Sequence, residues 1–317
     1  MTRVLVTGGA GFIGSHVAEA LMSRGDEAVV LDNLASGSRD NVPEGCDFVP
    51  ADISDALQTA AEVMRFLPEV VVHLAAQTNV ELSVAQPSRD ASVNIMGTLA
   101  VLDAVAQTRC RKVIFASSST VYGDPARQPV LESDPVQPIS PYGAAKAAAE
   151  QYIRIIARQR RLQYTILRLG NVFGPRDSLR SGHAVTAFVD ALLSGRTPTI
   201  EWDGEQTKDY VYVGDVADAV VAALEHGDNE TFNIASEVGI SVNELYQRVC
   251  AVMGIHAVPG HGGRRSGDVR TFVMSCSKAR RLLKWRAHTP FLKALTLTVE
   301  SMARAHEHTD SKVSAAG

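Results

Sequence analysis

A tyrosine and a lysine stand four residues apart, Tyr142 and Lys146, at the start of a predicted helix that follows Ser140-Pro141. Side chains at positions i and i+4 share one face of a helix, so the phenol and the ammonium are expected to lie side by side. A free tyrosine has a pKa of ~10 and is a poor base at neutral pH, but a neighbouring positive charge favours the phenolate. Such a phenolate can take the proton of a hydroxyl group while a hydride leaves the same carbon. The pair therefore indicates oxidation or reduction at an alcohol or sugar carbon, which requires a hydride carrier.

A third polar group, Ser118, lies in the run Phe115–Thr120, at the C-terminal end of a predicted parallel strand. Ligands of open α/β sheets bind at that edge. A serine hydroxyl there can hydrogen-bond the substrate oxygen and relay its proton. Taken alone, the tyrosine and lysine could also be a surface pair, and the serine run could be a solvated strand end. The sequence upstream favours the catalytic interpretation.

The upstream segment Thr7–Gly14 has glycines at positions 8, 11 and 14, between a predicted strand and a predicted helix. A glycine pattern indicates a dinucleotide-binding turn when it follows a strand and opens a helix, as it does here. Glycine permits positive φ and close approach of the backbone to a pyrophosphate, and the free N–H groups of the following helix can bind the phosphates. The alternative is a tight turn without a ligand. The strand, the helix and an acidic residue further on favour a dinucleotide site.

That acidic residue is Asp32, which ends the second predicted strand. A carboxylate in this place accepts hydrogen bonds from ribose hydroxyls and repels a 2′-phosphate, which predicts NAD rather than NADP. Asp52 and Ile53, after the third predicted strand, are candidates for contact with the adenine. An ordinary turn is the alternative for that second pair.

Short β-branched runs alternate with longer helical patterns in the first half of the chain. The predicted strands are Arg3–Thr7, Ala28–Leu31, Asp47–Pro50, Val70–Leu74, Lys112–Ser117 and Tyr164–Leu169. The predicted helices cover residues 12–24, 54–66, 91–108 and 142–160. This alternation predicts an α/β fold with a Rossmann-like, doubly wound parallel sheet.

The alternation ends near residue 171, where glycine and proline interrupt the sequence. The later predicted elements are a helix over Asp215–Glu225, a strand over Thr231–Ala235 that can rejoin the sheet, a helix over Ser241–Val252 capped by Ser241, and a last helix from about Thr289 to near His306. We expect an NAD-binding domain and a smaller, mixed C-terminal substrate-binding lobe. The expected division is 1–172 for the first domain, with 208–236 returning to it, 173–207 and 237–308 for the lobe, and 309–317 for a flexible tail.

The bulk properties exclude several classes of protein. The chain has 317 residues, of which 45% are hydrophobic, and a net charge of −4, so no basic excess predicts a nucleic acid as partner. No apolar run is long enough to predict a membrane span, and the N-terminus enters a strand without a visible secretory signal. The cysteines are scattered and the histidines lack zinc-type spacing. We therefore expect a cytoplasmic protein with reduced thiols and without a metal site.

With these segments in place, the sequence resembles the extended short-chain dehydrogenase/reductase family, and within it the NAD-dependent nucleotide-sugar epimerases and dehydratases. The likeness is greatest to the UDP-glucose 4-epimerase group. The matching segments run in order through most of the chain: TGGAGFIGSH (7–16), LDN (31–33), HLAAQ (73–77), NIMGT (94–98), SSSTVYGD (117–124), SPYGAAK (140–146), NVFGPRD (171–177), KDYVYVGDVADA (208–219) and RSGD (265–268).

The resemblance implies a reaction at C4 of a hexose. NAD would accept a hydride from C4 while Tyr142 removes the O4 proton. After the 4-keto sugar turns over within the site, the hydride would return to its opposite face and give the C4 epimer. Lys146 would also hold the nicotinamide ribose, and Ser118 would contact O4. These three residues are therefore the expected catalytic residues.

The resemblance also assigns binding residues. The expected cofactor contacts are Gly8, Gly11, Phe12, Ile13, Gly14, Asp32, Asn33, Asp52, Ile53, Leu74, Ala75, Ala76, Asn94, Ser117, Tyr142, Lys146 and Leu169. The expected substrate contacts are Ser118, Tyr142, Asn171, Lys208, Arg265, Asp268 and Phe272. The implied substrate is a nucleotide-diphosphate sugar, with a UDP-hexose favoured. The family often forms homodimers through the helices near 93–108 and 142–160, although plain core packing is the alternative for these helices.

Departures from the family pattern refine the expected reaction. Related dehydratases carry an acidic residue just before Val-Tyr-Gly, where this chain has Ser119-Thr120, so dehydration is not expected. Lys208 stands where the family has arginine, which keeps the charge toward a diphosphate but loses the bidentate geometry. Ser275 stands in place of an aspartate. Glu81 stands where members that act on uronic acids often carry arginine, which disfavours an acidic sugar.

Phe272 follows Arg265 by seven residues. In the family, a bulky side chain here narrows the pocket around C2 of the sugar, which favours a plain hexose over an N-acetylhexosamine. The alternative is a core aromatic residue.

Two other functions use parts of the same pattern. A nucleotide-sugar 4-ketoreductase, or another short-chain oxidoreductase, would use the same three catalytic residues and release its cofactor between turnovers, although Asp32 argues against NADP. A non-enzymatic protein that senses NAD would need neither Tyr142 nor Lys146, and both are present.

Overall fold

The computed structural model describes residues 1–263 and 269–315, except for the side chains of Arg180 and of residues 308–315. The strands are β1 Arg3–Thr7, β2 Glu27–Asp32, β3 Asp47–Pro50, β4 Val70–His73, β5 Lys112–Ser118, β6 Gln163–Leu169, β7 Asn171–Phe173, β8 Thr199–Ile200, β9 Thr207–Tyr212, β10 Glu230–Ile234, β11 Gly239–Ser241 and β12 Gly260–His261. The helices are α1 Phe12–Ser23, α2 Ala56–Phe66, α3 Val80–Ala85, α4 Pro87–Ala91, α5 Thr98–Val105, α6 Pro141–Arg160, α7 Ala184–Leu193, α8 Val213–Ala223, α9 Val242–Met253 and α10 Phe291–Ala315.

The central sheet has seven parallel strands in the order β10-β6-β5-β4-β1-β2-β3. Successive residues of β1 enter two separate cores, with Val4 and Val6 on one side and Leu5 on the other. A strand buried on both faces needs apolar residues at every position, which explains the nearly continuous apolar runs in the sequence. The predicted doubly wound α/β fold is confirmed.

The six strands predicted in the first half are present, with ends that differ by one residue at most. The strand predicted near residue 231 is β10, which lies parallel to β6 at one edge of the sheet. The helix predicted over 91–108 is composite, since α4 and α5 are joined by a π-helical turn at Ser92–Gly97. The last helix extends to Ala315, beyond the predicted end near His306.

A second group of elements follows β6. Strands β11, β9 and β7 form a three-stranded sheet, and Phe188 of α7, Leu245 of α9 and Leu295 of α10 share a separate hydrophobic core. Helix α9 begins as predicted, because the Ser241 hydroxyl accepts a hydrogen bond from the Glu244 nitrogen at 3.1 Å. No helix within the described residues combines the length and the apolar character that a bilayer span requires.

Candidate active site

The carboxyl ends of the parallel strands meet along one edge of the sheet. The register places Thr7 of β1 beside His73 of β4, and Ser118 of β5 beside Leu169 of β6. The loops that follow these strands therefore share one surface, which is the usual ligand-binding edge of an open α/β sheet.

The turn after β1 brings the backbone of Gly8 close to the loop after β4 and to the first turn of α1. Gly8 has a φ of +73°, and a Cβ at this position would lie 2.6 Å from the Ala75 nitrogen, in the loop Leu74–Ala76. A Cβ at Gly14 would lie 2.1 Å from the Gly8 carbonyl oxygen. Neither contact leaves room for a side chain, so both positions require glycine. The turn therefore has the positive φ and the close backbone approach that the glycine spacing predicts.

The N-terminus of α1 is open. Gly11 precedes this helix and supplies no side-chain hydrogen bond to its first turn, which contains Phe12 and Ile13. A Cβ at Gly11 would approach only the Gly8 oxygen, at 3.2 Å. Free N–H groups beside open space suit a diphosphate, so the residues present fit the predicted dinucleotide.

The ends of β2 and β3 carry the acidic residues predicted to contact the adenosine half. The Asp32 carboxylate is buried and accepts hydrogen bonds from the Ala10 nitrogen at 3.0 Å and the Leu34 nitrogen at 2.8 Å. Burial raises the pKa of Asp32 although these two bonds oppose the rise. Asn33 Nδ2 donates to Asp52 Oδ2 at 2.8 Å. Each Asp32 oxygen retains a lone pair, which is the acceptor that a ribose hydroxyl requires.

A buried histidine connects the end of β4 to α5. His73 Nδ1 lies 2.7 Å from Thr7 Oγ1, and His73 Nε2 lies 3.0 Å from Thr98 Oγ1. The Thr98 hydroxyl donates to the Asn94 carbonyl at 2.8 Å, so it accepts from a protonated Nε2, and Nδ1 accepts from Thr7. Burial lowers the pKa of His73 to about 3, and Lys146 acts in the same direction. The ring is therefore neutral and has one defined tautomer.

The π-helical turn between α4 and α5 packs against the loops that follow β3 and β4. Asn94 Oδ1 accepts from the Gln77 nitrogen at 2.9 Å, and its Nδ2 donates to the Gln77 carbonyl and to Asp90 Oδ1, both at 2.9 Å. Ile53 packs so tightly on Gly97 that a Cβ there would lie 2.7 Å from its Cδ1. The structure shows Asn94 fixing the loop after β4, and its contact with a cofactor stays a prediction.

Helix α6 begins where the sequence predicts. Pro141 occupies its first turn, and the Ser140 hydroxyl accepts a hydrogen bond from the Gly143 nitrogen at 3.1 Å. The Tyr142 nitrogen donates to the Ser83 hydroxyl of α3 at 3.2 Å, which ties the two helices together. Tyr142 is thereby held at a fixed position close to the carboxyl edge of the sheet.

Lys146 lies one turn further along α6 and is 3% exposed. Its Nζ donates to the Ala116 carbonyl of β5 at 2.8 Å, and lies 4.7 Å from the centre of the Phe115 ring and 5.9 Å from that of Tyr142. The Ser118 hydroxyl is close enough to the Tyr142 phenol to act on its pKa, and it accepts a hydrogen bond from the Thr120 hydroxyl at 3.0 Å. The structure therefore brings together the three side chains that were predicted to be catalytic.

The electrostatics show that Lys146 alone does not ionise the Tyr142 phenol. Burial raises the pKa of Tyr142 to about 12, despite the opposing hydrogen bond with Ser118, and Asp90 adds to the rise. Burial also lowers the pKa of Lys146 to about 8, against the attraction of Asp90 and Glu150. The protein's own groups thus keep the phenol protonated at neutral pH, and a further positive charge beside it is needed to favour the phenolate.

A buried ion pair between Glu150 of α6 and Arg168 of β6 lies next to Ser117, near the end of β5. The Ser117 hydroxyl donates to Glu150 Oε1 at 2.6 Å, and Glu150 also accepts from Arg168 Nε at 2.9 Å and from Arg168 Nη2 at 2.7 Å. Glu150 is 1% exposed and Arg168 is 3% exposed. Burial acts to raise the pKa of Glu150, but the bonds from Arg168 outweigh it and the pKa is lowered.

Two predicted substrate contacts lie on adjacent strands of the smaller sheet. Asn171 begins β7, and its Nδ2 donates to the Asp209 carbonyl of β9 at 3.2 Å. Lys208, also in β9, donates from Nζ to the Val269 carbonyl at 3.1 Å. Leu169 ends β6 just before this sheet begins, so the smaller sheet continues from the edge that carries the catalytic candidates.

Phe272 is 6% exposed, and the centre of its ring lies 6.3 Å from that of Tyr122. Its nitrogen donates to the Thr207 carbonyl at 3.0 Å, next to Lys208 in sequence. The residue is therefore part of the core at the boundary of the smaller sheet. Arg265 and Asp268 lie outside the described residues, so their roles stay predictions.

Four side chains of this region were not predicted to matter. Glu150 had a signal, since it follows Lys146 by four residues and so shares the face of α6 that carries the catalytic candidates. Asp90 had a similar signal, one turn before Asn94. His73 had only its place in the segment HLAAQ (73–77), and Ser83 had no signal, because its partner Tyr142 lies far away in sequence.

Comparison with known proteins identifies the family. The sequence matches the NAD dependent epimerase/dehydratase family over residues 4–235. The chain belongs to this family. A UDP-glucose 4-epimerase of Mycolicibacterium smegmatis is 39% identical over 306 residues, which cover 94% of this chain and 97% of that protein.

Solved structures of the epimerase/dehydratase family share the whole fold. A UDP-glucose 4-epimerase of Thermotoga maritima, crystallised with UDP-glucose, superposes with a TM-score of 0.93 at 39% identity and covers 96% of this chain and 99% of that chain. A UDP-glucose 4-epimerase of Thermus thermophilus in complex with NAD gives 0.90 at 38% identity, covering 95% and 99%. Membership confirms the predicted family, the predicted enzyme class and the predicted NAD cofactor.

Replacing Gly14 by alanine tests the cofactor turn. The added methyl group would lie 2.1 Å from a backbone oxygen, which cannot rotate away as a side chain can. Overpacking of this kind typically costs ~1–3 kcal/mol, so we expect NAD binding to weaken by ~tenfold or more. Gly260→Ala is the control, because a Cβ there has no neighbour closer than 3.6 Å. Equal NAD affinities in a binding titration of both variants would contradict the assigned turn.

Proposed function

We propose that the chain interconverts the C4 epimers of a nucleotide hexose of the UDP-glucose and UDP-galactose type, through a transient 4-keto sugar. The observation that supports this most directly is that buried Tyr142 and Lys146 and half-buried Ser118 come together at the carboxyl edge of the sheet, the edge at which β1 leads into α1. The turn Ser119–Tyr122 brings no carboxylate to this cluster, which favours epimerisation over dehydration. The similarity of the chain to UDP-glucose 4-epimerases, one of them crystallised with UDP-glucose, supports UDP-glucose as a substrate.

The chain's own groups hold the reactants and move the proton. NAD, when bound, supplies the acceptor and donor for the hydride. Tyr142 takes the O4 proton through its phenol oxygen and later returns it, while the Ser118 hydroxyl hydrogen-bonds O4 and keeps it within reach. The Lys146 ammonium, buried away from water, offsets the negative charge that develops on the phenol. The residues proposed to hold the cofactor are Gly8, Gly11, Phe12, Ile13, Gly14, Asp32, Asn33, Asp52, Ile53, Leu74, Ala75, Ala76, Asn94, Ser117, Tyr142, Lys146 and Leu169.

The nucleotide end of the substrate is proposed to bind on the smaller sheet. Lys208 places a positive charge there, which suits a diphosphate, and Asn171 offers an amide on the neighbouring strand. Arg265, Asp268 and Phe272 complete the proposed substrate contacts. Arg265, Asp268 and Phe272 lie within the predicted lobe of residues 173–207 and 237–308, whereas Asn171 and Lys208 lie in the segments assigned to the first domain.

Incubation with a panel of nucleotide hexoses, followed by NMR of the products, tests the function. We expect inversion at C4 with no net change in the absorbance of NADH. Stoichiometric consumption of NADH would instead assign a 4-ketoreductase. If no member of a panel with UDP, dTDP, GDP and CDP sugars is converted, the proposal fails.

A cytoplasmic homodimer is part of the proposal. Helices of the face predicted to dimerise expose apolar side chains, among them Met96 in the π-helical turn and Tyr152 and Ile155 in α6. All four cysteines are free, which suits a reducing compartment. Sedimentation of the wild type and of an Ile155→Glu variant tests the dimer, since a charge in a buried contact would favour the monomer.

Phe272 gives a prediction about specificity. Replacing it by serine is expected to raise the turnover of UDP-N-acetylglucosamine relative to UDP-glucose by ~10-fold or more, because pocket contacts discriminate by ~1–3 kcal/mol. Phe272→Leu, which keeps an apolar side chain of similar bulk, is the control. Since Phe272 packs on Tyr122, folding of both variants is checked by circular dichroism. Equal rates on the N-acetylated sugar for wild type and Phe272→Ser would refute the assignment.

A further inference from the structure

A cavity of about 650 Å³ lies beside β10, the strand at one edge of the central sheet. It is bordered by β6, β10, α6, the segment 131–133 and the π-helical turn Ala279–Leu283. Its volume falls within the range of small-molecule sites, ~300–1,000 Å³. No described residue assigned above to the cofactor, the sugar or the catalytic steps borders it, so it is a separate pocket.

Four positively charged side chains border the cavity, from Arg154, Arg168, Lys278 and Arg281. Arg168 is 3% exposed, so it lies at the bottom of the cavity. Arg154 turns toward β10, since its Nη2 donates to Thr231 Oγ1 at 3.0 Å. Arg281 is exposed, and its guanidinium makes no hydrogen bond or ion pair with the residues that the structure describes. A buried arginine and an unpaired one can hold an anion from two sides, because each guanidinium presents a fork of N–H donors.

Three carboxylates lie beside these cations. The two arginines of the inner wall share Glu150, which lies behind the bottom of the cavity. Glu230 is paired with Lys278 at 2.8 Å. The carboxylate of Glu132 borders the cavity, and its Oε1 accepts a hydrogen bond from the Asn233 nitrogen at 2.9 Å. Four positive charges therefore stand against three negative ones, and the excess favours an anionic ligand.

We propose that this cavity is a binding site for a small phosphorylated polyol of the sugar phosphate class. Guanidinium groups match the oxygens of a phosphate in geometry and charge. The carboxylate of Glu132 repels a bare anion, but it accepts hydrogen bonds from the hydroxyl groups of a sugar. Ser133 and Ser277, which also border the cavity, offer further hydroxyl partners. The mixed wall thus suits a ligand that carries a phosphate at one end and hydroxyl groups at the other.

Binding of glucose 6-phosphate to the protein saturated with NAD and UDP tests the proposal. NMR of the Nε–H groups of isotope-labelled arginine follows the titration at constant ionic strength, with assignments from Arg154→Gln and Arg281→Gln. We expect saturable shifts of both signals with a Kd of ~1 mM or lower. In Arg281→Gln the affinity is expected to fall ~tenfold or more, because hydrogen bonds to a charged group are lost. Arg281 is exposed, so this variant is expected to fold.

Arg280→Gln is the matched control. Arg280 precedes Arg281 in the same π-helical turn, but it does not border the cavity and is paired with Glu237. Its replacement is expected to leave the affinity for glucose 6-phosphate unchanged. Shifts that do not saturate would overturn the proposal, and so would an equal loss of affinity in Arg280→Gln and Arg281→Gln, which indicates general screening by the anion.

Three further ligands test the class of compound. Inorganic phosphate lacks the hydroxyl groups, gluconate replaces the phosphate by a carboxylate, and glucose has no charge. Each is expected to bind at least ~tenfold more weakly than glucose 6-phosphate. Equal affinity for any of the three would refute the assignment to sugar phosphates. The titrations involve no turnover and do not rest on the proposed function, so they can fail while epimerisation is observed, and the reverse also holds.

Discussion

Replacing Tyr142 by phenylalanine is expected to lower kcat by ~10²–10⁴-fold, the usual contribution of a positioned acid or base. The ring is 8% exposed and stays packed in α6, so the variant is expected to fold and to bind NAD as the wild type does. The phenol oxygen is the group that the proposed reaction uses to move the O4 proton. Steady-state kinetics with the sugar identified by the NMR panel measure the change in kcat. The NAD content of the purified protein shows whether cofactor binding is retained.

The matched control is Tyr152→Phe, the same chemical change on the same helix at a residue that is 42% exposed. It is expected to leave kcat and NAD binding unchanged. If Tyr142→Phe kept the activity of the wild type, another group would have to move the proton. If it lost NAD as well, the loss of activity would not identify Tyr142 as the acid and base.

Replacing Glu150 by alanine is expected to destabilise the protein by ~3–5 kcal/mol, because Arg168 would be left as a buried charge without its partner. Ser117 would also lose its acceptor, at the end of the strand that carries Ser118. Chemical denaturation followed by circular dichroism measures the change. Glu244→Ala removes a helix ion pair of the same spacing as Glu150 and Arg154, but at an exposed site, and is expected to cost ~0.5 kcal/mol or less.

The contribution of Glu150 to stability is also expected to depend on pH. The pKa of Glu150 in the folded protein lies below the ordinary value of 4.5. The stability that its ionisation contributes is therefore present above pH 4.5 and is lost as the pH falls through the lower folded value. Glu150→Gln is expected to lack this part of the acid destabilisation. An acid titration of stability that is identical in wild type and variant would contradict the assignment.

Local signals predicted the parts of the site that are contiguous in sequence. The glycine turn could be predicted because Gly8 and Gly14 meet within one turn of chain. Tyr142 and Lys146 could be predicted because one helical turn separates them. Ser118 needed only the rule that ligands bind at the carboxyl edge of a parallel sheet. The parallel, doubly wound sheet followed from the regular alternation of strands and helices.

Other properties depend on contacts between elements far apart in sequence. The pKa of Tyr142 is raised by burial under neighbouring elements, which the residue itself does not show. Ser83 meets the Tyr142 nitrogen across 59 positions, and no pattern marks that contact. The small sheets escaped prediction because strands of two or three residues, such as β7 and β8, are too short to show alternation.

The pairing of β6 with β10 has a consequence for synthesis of the chain. Residues 230–234 supply the outer neighbour of β6, long after β6 itself has left the ribosome. Until then β6 is an unpaired edge rich in apolar residues, which is the kind of surface that chaperones cover and that aggregates readily. A polypeptide that stops after residue 172 would retain that exposed edge permanently, so the first half of the molecule is not a self-sufficient folding unit.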